Sequence, residues 1–295
     1  MKSLYSNYQW RPTLMVKTAL LLIVASIASI AIRPDMWPWA TAVIALVHVP
    51  LTVAGLCPRC SLLGSNWTAL PQTSVARGEI ALTFDDGPDP EVTPAVLDLL
   101  DRHGVKATFF CIGEKAQRHP DLCREIAERG HAVENHSMRH SHSFALLLLG
   151  GYFSELAAAQ ELLTAITGAR PRFFRAPAGL RNPLLDPVLN RLGLQLTSWT
   201  RRGFDTVEKD PQLVLAKLLD GLKAGDILLL HDGNAARTAA GRPVILEVLP
   251  SLLDAVSAAK LRPVTLREAL PASTGENPET KKLNPNNHVD SARHW

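Results

Sequence analysis

Two uncharged apolar runs open the chain. Thr18 to Ile32 reads TALLLIVASIASIAI, and after Arg33, Pro34 and Asp35 a second run, MWPWATAVIALVHVPLTVAGL, extends from Met36 to Leu56. A helix needs about 20 apolar residues to cross the hydrocarbon core of a bilayer. The second run has that length, and the first reaches it when Leu14 to Val16 join past Lys17. A cleaved signal peptide would show a small-x-small site before a polar start, and no clear one is present. The pattern predicts a tail over 1–13 and a transmembrane helical hairpin over 14–56, with Trp37 and Trp39 at the membrane interface. Lys2, Arg11 and Lys17 precede the first span, while Arg33 in the turn is offset by Asp35. Because Lys and Arg stay on the cytoplasmic side, the N-terminus and the chain beyond the hairpin are expected there, at the inner membrane.

After a linker over 57–78 the period changes. Short β-rich runs alternate with helical patterns from Glu79 to about Leu270. The candidate strands are EIALTF from Glu79, KATFFCIG from Lys106, HAVENHS from His131, RFFRAPAG from Arg172, LQLTSW from Leu194, DILLLHDG from Asp226 and RPVTL from Arg262. Helical patterns begin at Thr93, Pro120, Tyr152, Asp210 and Ile245; several stop at glycine, and several start near Asp or Pro. Strand–helix alternation implies a parallel sheet, and seven strands point to an α/β barrel rather than an open sheet. The polar stretch 271–295 has no apolar period and is expected to be a disordered tail, leaving His288 and His294 solvated.

Composition narrows the function only a little. The net charge of +3 on 295 residues, with 6% aromatics, gives no basic stripe interleaved with aromatic side chains, so no nucleic acid is expected as a partner. Four cysteines do not make a disulfide framework in a chain of this length. Cys57 and Cys60 form a CPRC without a second pair, which makes a poor zinc ribbon. Cys111 and Cys123 read as buried thiols.

In a parallel α/β barrel, chemistry sits where strands end and the loops to the helices begin. Asp85 and Asp86 follow EIALTF, His136 and His140 follow HAVEN, Arg175 follows RFF, Asp205 lies beyond LQLTSW, and His231 follows DILLL. The i, i+4 spacing of His136 and His140 predicts two imidazoles on one face of a helical turn. Two such nitrogens and one carboxylate make a divalent-metal site with open positions, and the Asp85/Asp86 pair offers the third ligand. A metal on one aspartate leaves the other free as a base, and relieves the repulsion between them. Taken alone, each position has a bland reading. HxxxH pairs are common on surfaces, Arg175 reads as an ion-pair partner, and His231 as a rim histidine bonded to Asp232. Five coincidences at five strand ends argue against all of these at once.

TFDDGP, HSMRH, RAPAG and LLLHDG, in that order and at these separations, resemble the signature motifs of the NodB-type polysaccharide deacetylases, carbohydrate esterase family 4. The resemblance covers Ile80 to Leu270, so that 79–270 reads as the catalytic domain. It implies a distorted (β/α)7-type barrel and a metal-dependent hydrolase that removes an N-acyl group, usually acetyl, from an amino sugar. By motif position, Asp85 resembles the family's general base and Asp86, His136 and His140 its metal ligands. His231 resembles the general acid, Arg175 the residue holding the base, and Asp205 the one tuning the acid. The implied cofactor is a divalent ion, Zn2+ first, with Co2+, Mn2+ or Ni2+ as the other candidates. Ala178 matches the position whose backbone N–H stabilises the oxyanion, and Trp199 and Leu229 are candidates for the acyl pocket. Two departures concern the sugar cleft: Thr206 follows Asp205 where the family has Trp, and Ala178 stands where an aromatic is frequent.

The hairpin bears on the substrate. A domain on the cytoplasmic side meets a lipid-linked amino sugar, whereas one outside meets an N-acetylated polysaccharide. FALLLLGGYF, after the histidine pair, reads as a lip for a lipid tail or as a buried helix start. Deformylation or O-deacetylation of a lipid-linked sugar, and an inactive carbohydrate-binding barrel, are the alternative functions.

Overall fold

The structure is a computed structural model and describes residues 10–270. The segment 271–295, with His288 and His294, lies outside the described residues, as does most of the 1–13 tail. The two apolar runs form helices α1 (Leu14–Ile32) and α2 (Trp37–Leu56), joined by a 3₁₀ turn at Pro34–Met36. Thr13 caps α1 by accepting a hydrogen bond from Val16 N–H at 3.3 Å. The helices fold back on each other, yet only 17% and 28% of the two apolar windows are buried. Leu46 and Trp39 are both 71% exposed. A core helix of a soluble domain would be mostly buried. These two have the length and composition of membrane spans or of a signal sequence.

The remaining elements, in chain order, are α3 (Gln72–Ala76), β1 (Glu79–Asp85), α4 (Thr93–Arg102), β2 (Thr108–Cys111), α5 (Gly113–Arg118), α6 (Pro120–Glu128), β3 (Ala132–Asn135) and α7 (Leu149–Thr167). They continue with β4 (Phe173–Phe174), α8 (Leu185–Leu192), β5 (Gln195–Leu196), β6 (Arg201–Arg202), α9 (Pro211–Leu219), β7 (Ile227–His231), α10 (Val244–Ala258) and β8 (Arg262–Pro263). Every strand pair is parallel, in the order β5-β4-β3-β2-β1-β7-β6, with β8 beside the start of β1. β5 and β6 belong to one extended stretch, which pairs with β4 at its beginning and with β7 at its end. That stretch curls the sheet into a distorted barrel. Where it changes partners, the linker covers it: Trp67 N–H donates to Leu196 O at 2.9 Å, and Ser198 N–H donates to Trp67 O at 2.8 Å.

All seven expected strands form, while α3 within the expected linker, α5, α8 and β6 were not expected. Arg201 and Arg202 carry no apolar signal, and GEKAQR is short and polar. α8 does present an apolar stripe, Leu185, Val188, Leu189 and Leu192, but Pro187 within it reads as a breaker. Alternation along the strands makes two apolar layers. Leu82, Phe84, Phe109, Leu228 and Leu230 pack outward against α4 and α10, while Ala81, Phe110 and Ile227 fill the barrel with Val264 and Leu266. Each of the Leu, Ile, Val and Phe side chains among them contributes about 1.5–3 kcal/mol by leaving water. Thr83, Asp85, Leu229 and His231 share the inward parity, so the strands deliver polar groups to the barrel mouth.

The base of the hairpin is docked on the barrel. Trp10 Nε1 donates to Asp186 Oδ2 at 2.7 Å, the Thr13 hydroxyl donates to Leu62 O at 2.5 Å, and Arg181 N–H donates to Gly55 O at 3.2 Å. The start of α1 and the end of α2 therefore lie together, against the loop that precedes α8.

Candidate active site and metal centre

Register brings the two central strand ends level: Asp85 of β1 stands opposite His231 of β7 and Phe110 of β2. Asp86 then turns sharply, with φ +71°. Ser137, His140, Ala178 and Asn234, all in loops at the same barrel mouth, also have positive φ. Such conformations cost about 1–3 kcal/mol each in non-glycine residues and persist where surrounding structure enforces them. Two glycines permit the close approach. A Cβ on Gly87 would lie 2.1 Å from Asp232 Oδ2, and one on Gly233 would lie 2.2 Å from Asp86 O.

Asp86 Oδ1 lies 3.2 Å from Nε2 of His136 and 3.2 Å from Nε2 of His140. His136 Nδ1–H donates to Arg175 O at 2.8 Å, so in the neutral ring Nε2 carries the lone pair. Asp86 Oδ1 is buried and meets no hydrogen-bond donor. Acceptors facing each other at this distance require a cation or a proton between them. Asp86, His136 and His140, with donor atoms all within 4.8 Å of one another, fit a divalent ion. Burial, then the neighbouring His136, lowers His140 to about 4, so this imidazole is neutral at pH 7. Burial opposes the charge of Asp86, but His136 and His140 hold its carboxyl well below the usual range. Burial lowers His136, and Asp85 with Asp86 raises it further than that. Metal binding there releases a proton.

Asp85 is oriented by a buried cation. Arg175, 1% exposed, donates from Nη1 to Asp85 Oδ1 at 2.7 Å and to the Thr83 hydroxyl at 2.8 Å. Its Nη2 donates to Ser198 O at 2.8 Å, and its guanidinium lies 4.2 Å over the Phe110 ring. On the other side, His231 Nδ1–H donates to Asp205 Oδ1 and His231 N–H to Asp205 Oδ2, both at 2.8 Å. Burial alone would lower His231, but the Asp205 carboxylate and its hydrogen bond outweigh that and raise it to about 9. Nε2 is left facing the mouth of the barrel. Ala178 is exposed on the rim, and its N–H has no partner among the described residues. Trp199 is 8% exposed beside Arg175, and Leu229 is 2% exposed inside the barrel.

All ten sequence-predicted site residues thus gather at or beneath one mouth. One detail differs from expectation. His136 and His140 do not share a helical turn: β3 ends at Asn135, and both residues lie in a loop. Asn135 Oδ1 fixes that loop by accepting from Ser137 N–H, and the Ser137 hydroxyl accepts from His140 N–H. His231 pairs with Asp205, the residue its motif position implies, whereas Asp232 accepts from the Thr93 hydroxyl at 2.6 Å and is pushed by burial to about 7. Asn234 was missed. It donates to Asp86 Oδ2 at 3.1 Å, and only its closeness to LLLHDG hinted at it.

A family model described as polysaccharide deacetylase matches residues 73–197. A chitooligosaccharide deacetylase from Azorhizobium caulinodans is 36% identical over 191 residues, spanning 62% of this chain and 90% of that protein. A peptidoglycan-N-acetylglucosamine deacetylase from Bacillus cereus is 31% identical over 60% of this chain, and the match spans 64% of that protein's length. In fold, the crystal structure of the Bc1960 peptidoglycan N-acetylglucosamine deacetylase superposes with a TM-score of 0.63 at 27% identity, covering 69% of this chain and 92% of the other. Fold and site together define a metal-dependent hydrolase on a distorted parallel α/β barrel. The chain belongs to the polysaccharide deacetylase family, hydrolases acting on carbon–nitrogen bonds other than peptide bonds.

Proposed function

We propose that the protein removes an N-acyl group, acetyl first, from an amino sugar presented at a membrane. The observation that carries this is the pairing of an Arg175-held Asp85 beside the Asp86–His136–His140 cluster with an Asp205-held His231. Asp86, His136 and His140 hold the divalent ion, with Zn2+ suited to two nitrogens and one oxygen. When bound, that ion polarises the acyl carbonyl and acidifies water. Asp85 accepts a proton from the attacking water, with its carboxylate aimed by Arg175. Ala178 N–H donates to the developing oxyanion, Leu229 and Trp199 enclose the acyl methyl, and His231 delivers its Nε2 proton to the departing amine. α1 and α2 anchor the domain in the membrane. The Lys and Arg distribution supports the cytoplasmic side, where an N-acylated lipid-linked sugar is the accessible substrate; outside, it would be a polymer.

Metal content and amine release from N-acetylated oligosaccharides, measured in the same samples, test the assignment. Wild type holds one divalent ion per chain, and Asp86→Ala and His136→Ala lose it together with activity. Asp85→Asn keeps the ion and loses about 10²–10⁴-fold in turnover. Undiminished turnover in Asp85→Asn would remove the base, and an absence of metal under all conditions would remove the mechanism.

A further inference from the structure

A groove of about 440 Å³ runs between the hairpin and the barrel. Ala19, Leu20 and Ile23 of α1 and Leu51 and Thr52 of α2 form one wall, and Leu184 belongs to the other. At 1.5 Å per residue, the α1 wall climbs about 6 Å along a helix that is otherwise exposed and apolar. What meets such a wall in a bilayer is a hydrocarbon chain. The opposite wall is made of two loops that continue from the site. Ala145 and Leu146 lie just beyond His140, and Leu180 follows the Pro177–Gly179 turn that carries Ala178. Leu146 and Leu148, 80% and 72% exposed, extend the apolar surface outward.

Arg181 lines the same groove and is only 5% exposed. Its Nη2 donates to Cys60 O, but its Nε is buried without a partner, and the guanidinium makes no ion pair among the described residues. Asp186, the acid whose charge acts on it, is engaged by Trp10 Nε1. A buried guanidinium with an unpartnered Nε and no direct ion pair, beside an apolar groove, suits a phosphoester at the head of a lipid chain, since its planar fork matches phosphate oxygens. Arg181 is three residues from Ala178, so their Cα atoms are at most about 11 Å apart. A sugar joined to that phosphoester is therefore within reach of the barrel mouth.

We propose that the substrate is an amino sugar linked through a phosphoester to a long lipid. Its chain lies in the groove between the hairpin and the barrel, its phosphoester pairs with Arg181, and its N-acyl sugar reaches Asp85 and His231. This rests on the deacetylase reading of the site. The test is binding of a C15 prenyl phosphate, against the uncharged C15 prenol, to the metal-free full-length protein in phosphatidylcholine nanodiscs, with empty nanodiscs subtracted. Wild type is expected to prefer the phosphate by about tenfold or more. Arg181→Gln erases that preference, Arg181→Lys keeps part of it, and Thr52→Trp, which fills the groove, weakens both ligands. Equal binding of phosphate and prenol by wild type, or unchanged binding in Thr52→Trp, would overturn the proposal even if Arg181→Gln fails to fold. Equal binding of phosphatidic acid would make the groove a general anionic-lipid site and overturn the substrate assignment. Turnover of soluble N-acetylated oligosaccharides without prenyl phosphate binding removes the groove and leaves the deacetylase. Phosphate-selective binding without turnover of any N-acylated sugar does the reverse.

Discussion

Asp85 and Asp86 are neighbours in sequence whose carboxylates have different nearest partners. Asp85 faces into the barrel, where Arg175 compensates it; Asp86, turned aside by its positive φ, faces two imidazoles. The same separation occurs at the other end of the site, where Asp205 sets the charge of His231. Because the folded imidazole titrates near 9 rather than 6.5, the His231–Asp205 pair stabilises the fold in full below about 6.5. That contribution is lost as the pH rises through about 9. A nearby dication opposes protonation, so loading the metal moves this titration to lower pH. Asp205→Asn should lower the His231 pKa by roughly 1–3 units and shift the alkaline limb of kcat/KM the same way. A pH–rate profile with NMR titration of the ring checks this, and an unmoved limb would separate His231 from the acid step.

At the scale of elements, the site is a set of strand ends held by loops that only a few residues tolerate. The strands were legible because β1 and β7 are long and apolar, and parallel pairing follows from the intervening helices. The loops were not. HSMRH has helical spacing, yet the Asn135 and Ser137 side chains hold it in a loop, and no periodicity reports such bonds. α8 hid behind Pro187, and Asn234 behind the absence of any pattern. The approach of two loops makes Gly233 a sensitive position. Gly233→Ala places a Cβ against Asp86 O, displacing a metal ligand through its backbone. Metal affinity should fall by roughly 10–100-fold, the scale of outer-shell disruptions, while the melting temperature changes little. Titration with Zn2+ or Co2+ measures it, and wild-type affinity would show that the loops relax freely.

The whole molecule couples an apolar hairpin to a barrel through the hairpin's base, so the start of α1 and the barrel share one side of any bilayer that the hairpin crosses. Cys57 closes α2 as an exposed free thiol, whereas Cys111 and Cys123 are buried. With the domain on the cytoplasmic side, a membrane-impermeant maleimide should leave Cys57 unlabelled in intact spheroplasts and label it after lysis. Labelling in intact cells would place the domain outside and favour a polymer substrate.

By itself the sequence determined which residues lie at strand ends, that the strands run parallel, and that two segments suit a bilayer, because side-chain period and apolar length are local properties of the chain. The ordered motifs likewise carried the family. Only the tertiary structure decided how the histidine loop brings two imidazoles to one carboxylate, that Asn234 reaches Asp86, and that Arg181 lies buried where hairpin meets barrel. Those outcomes depend on contacts between residues far apart in the chain, which no local pattern encodes.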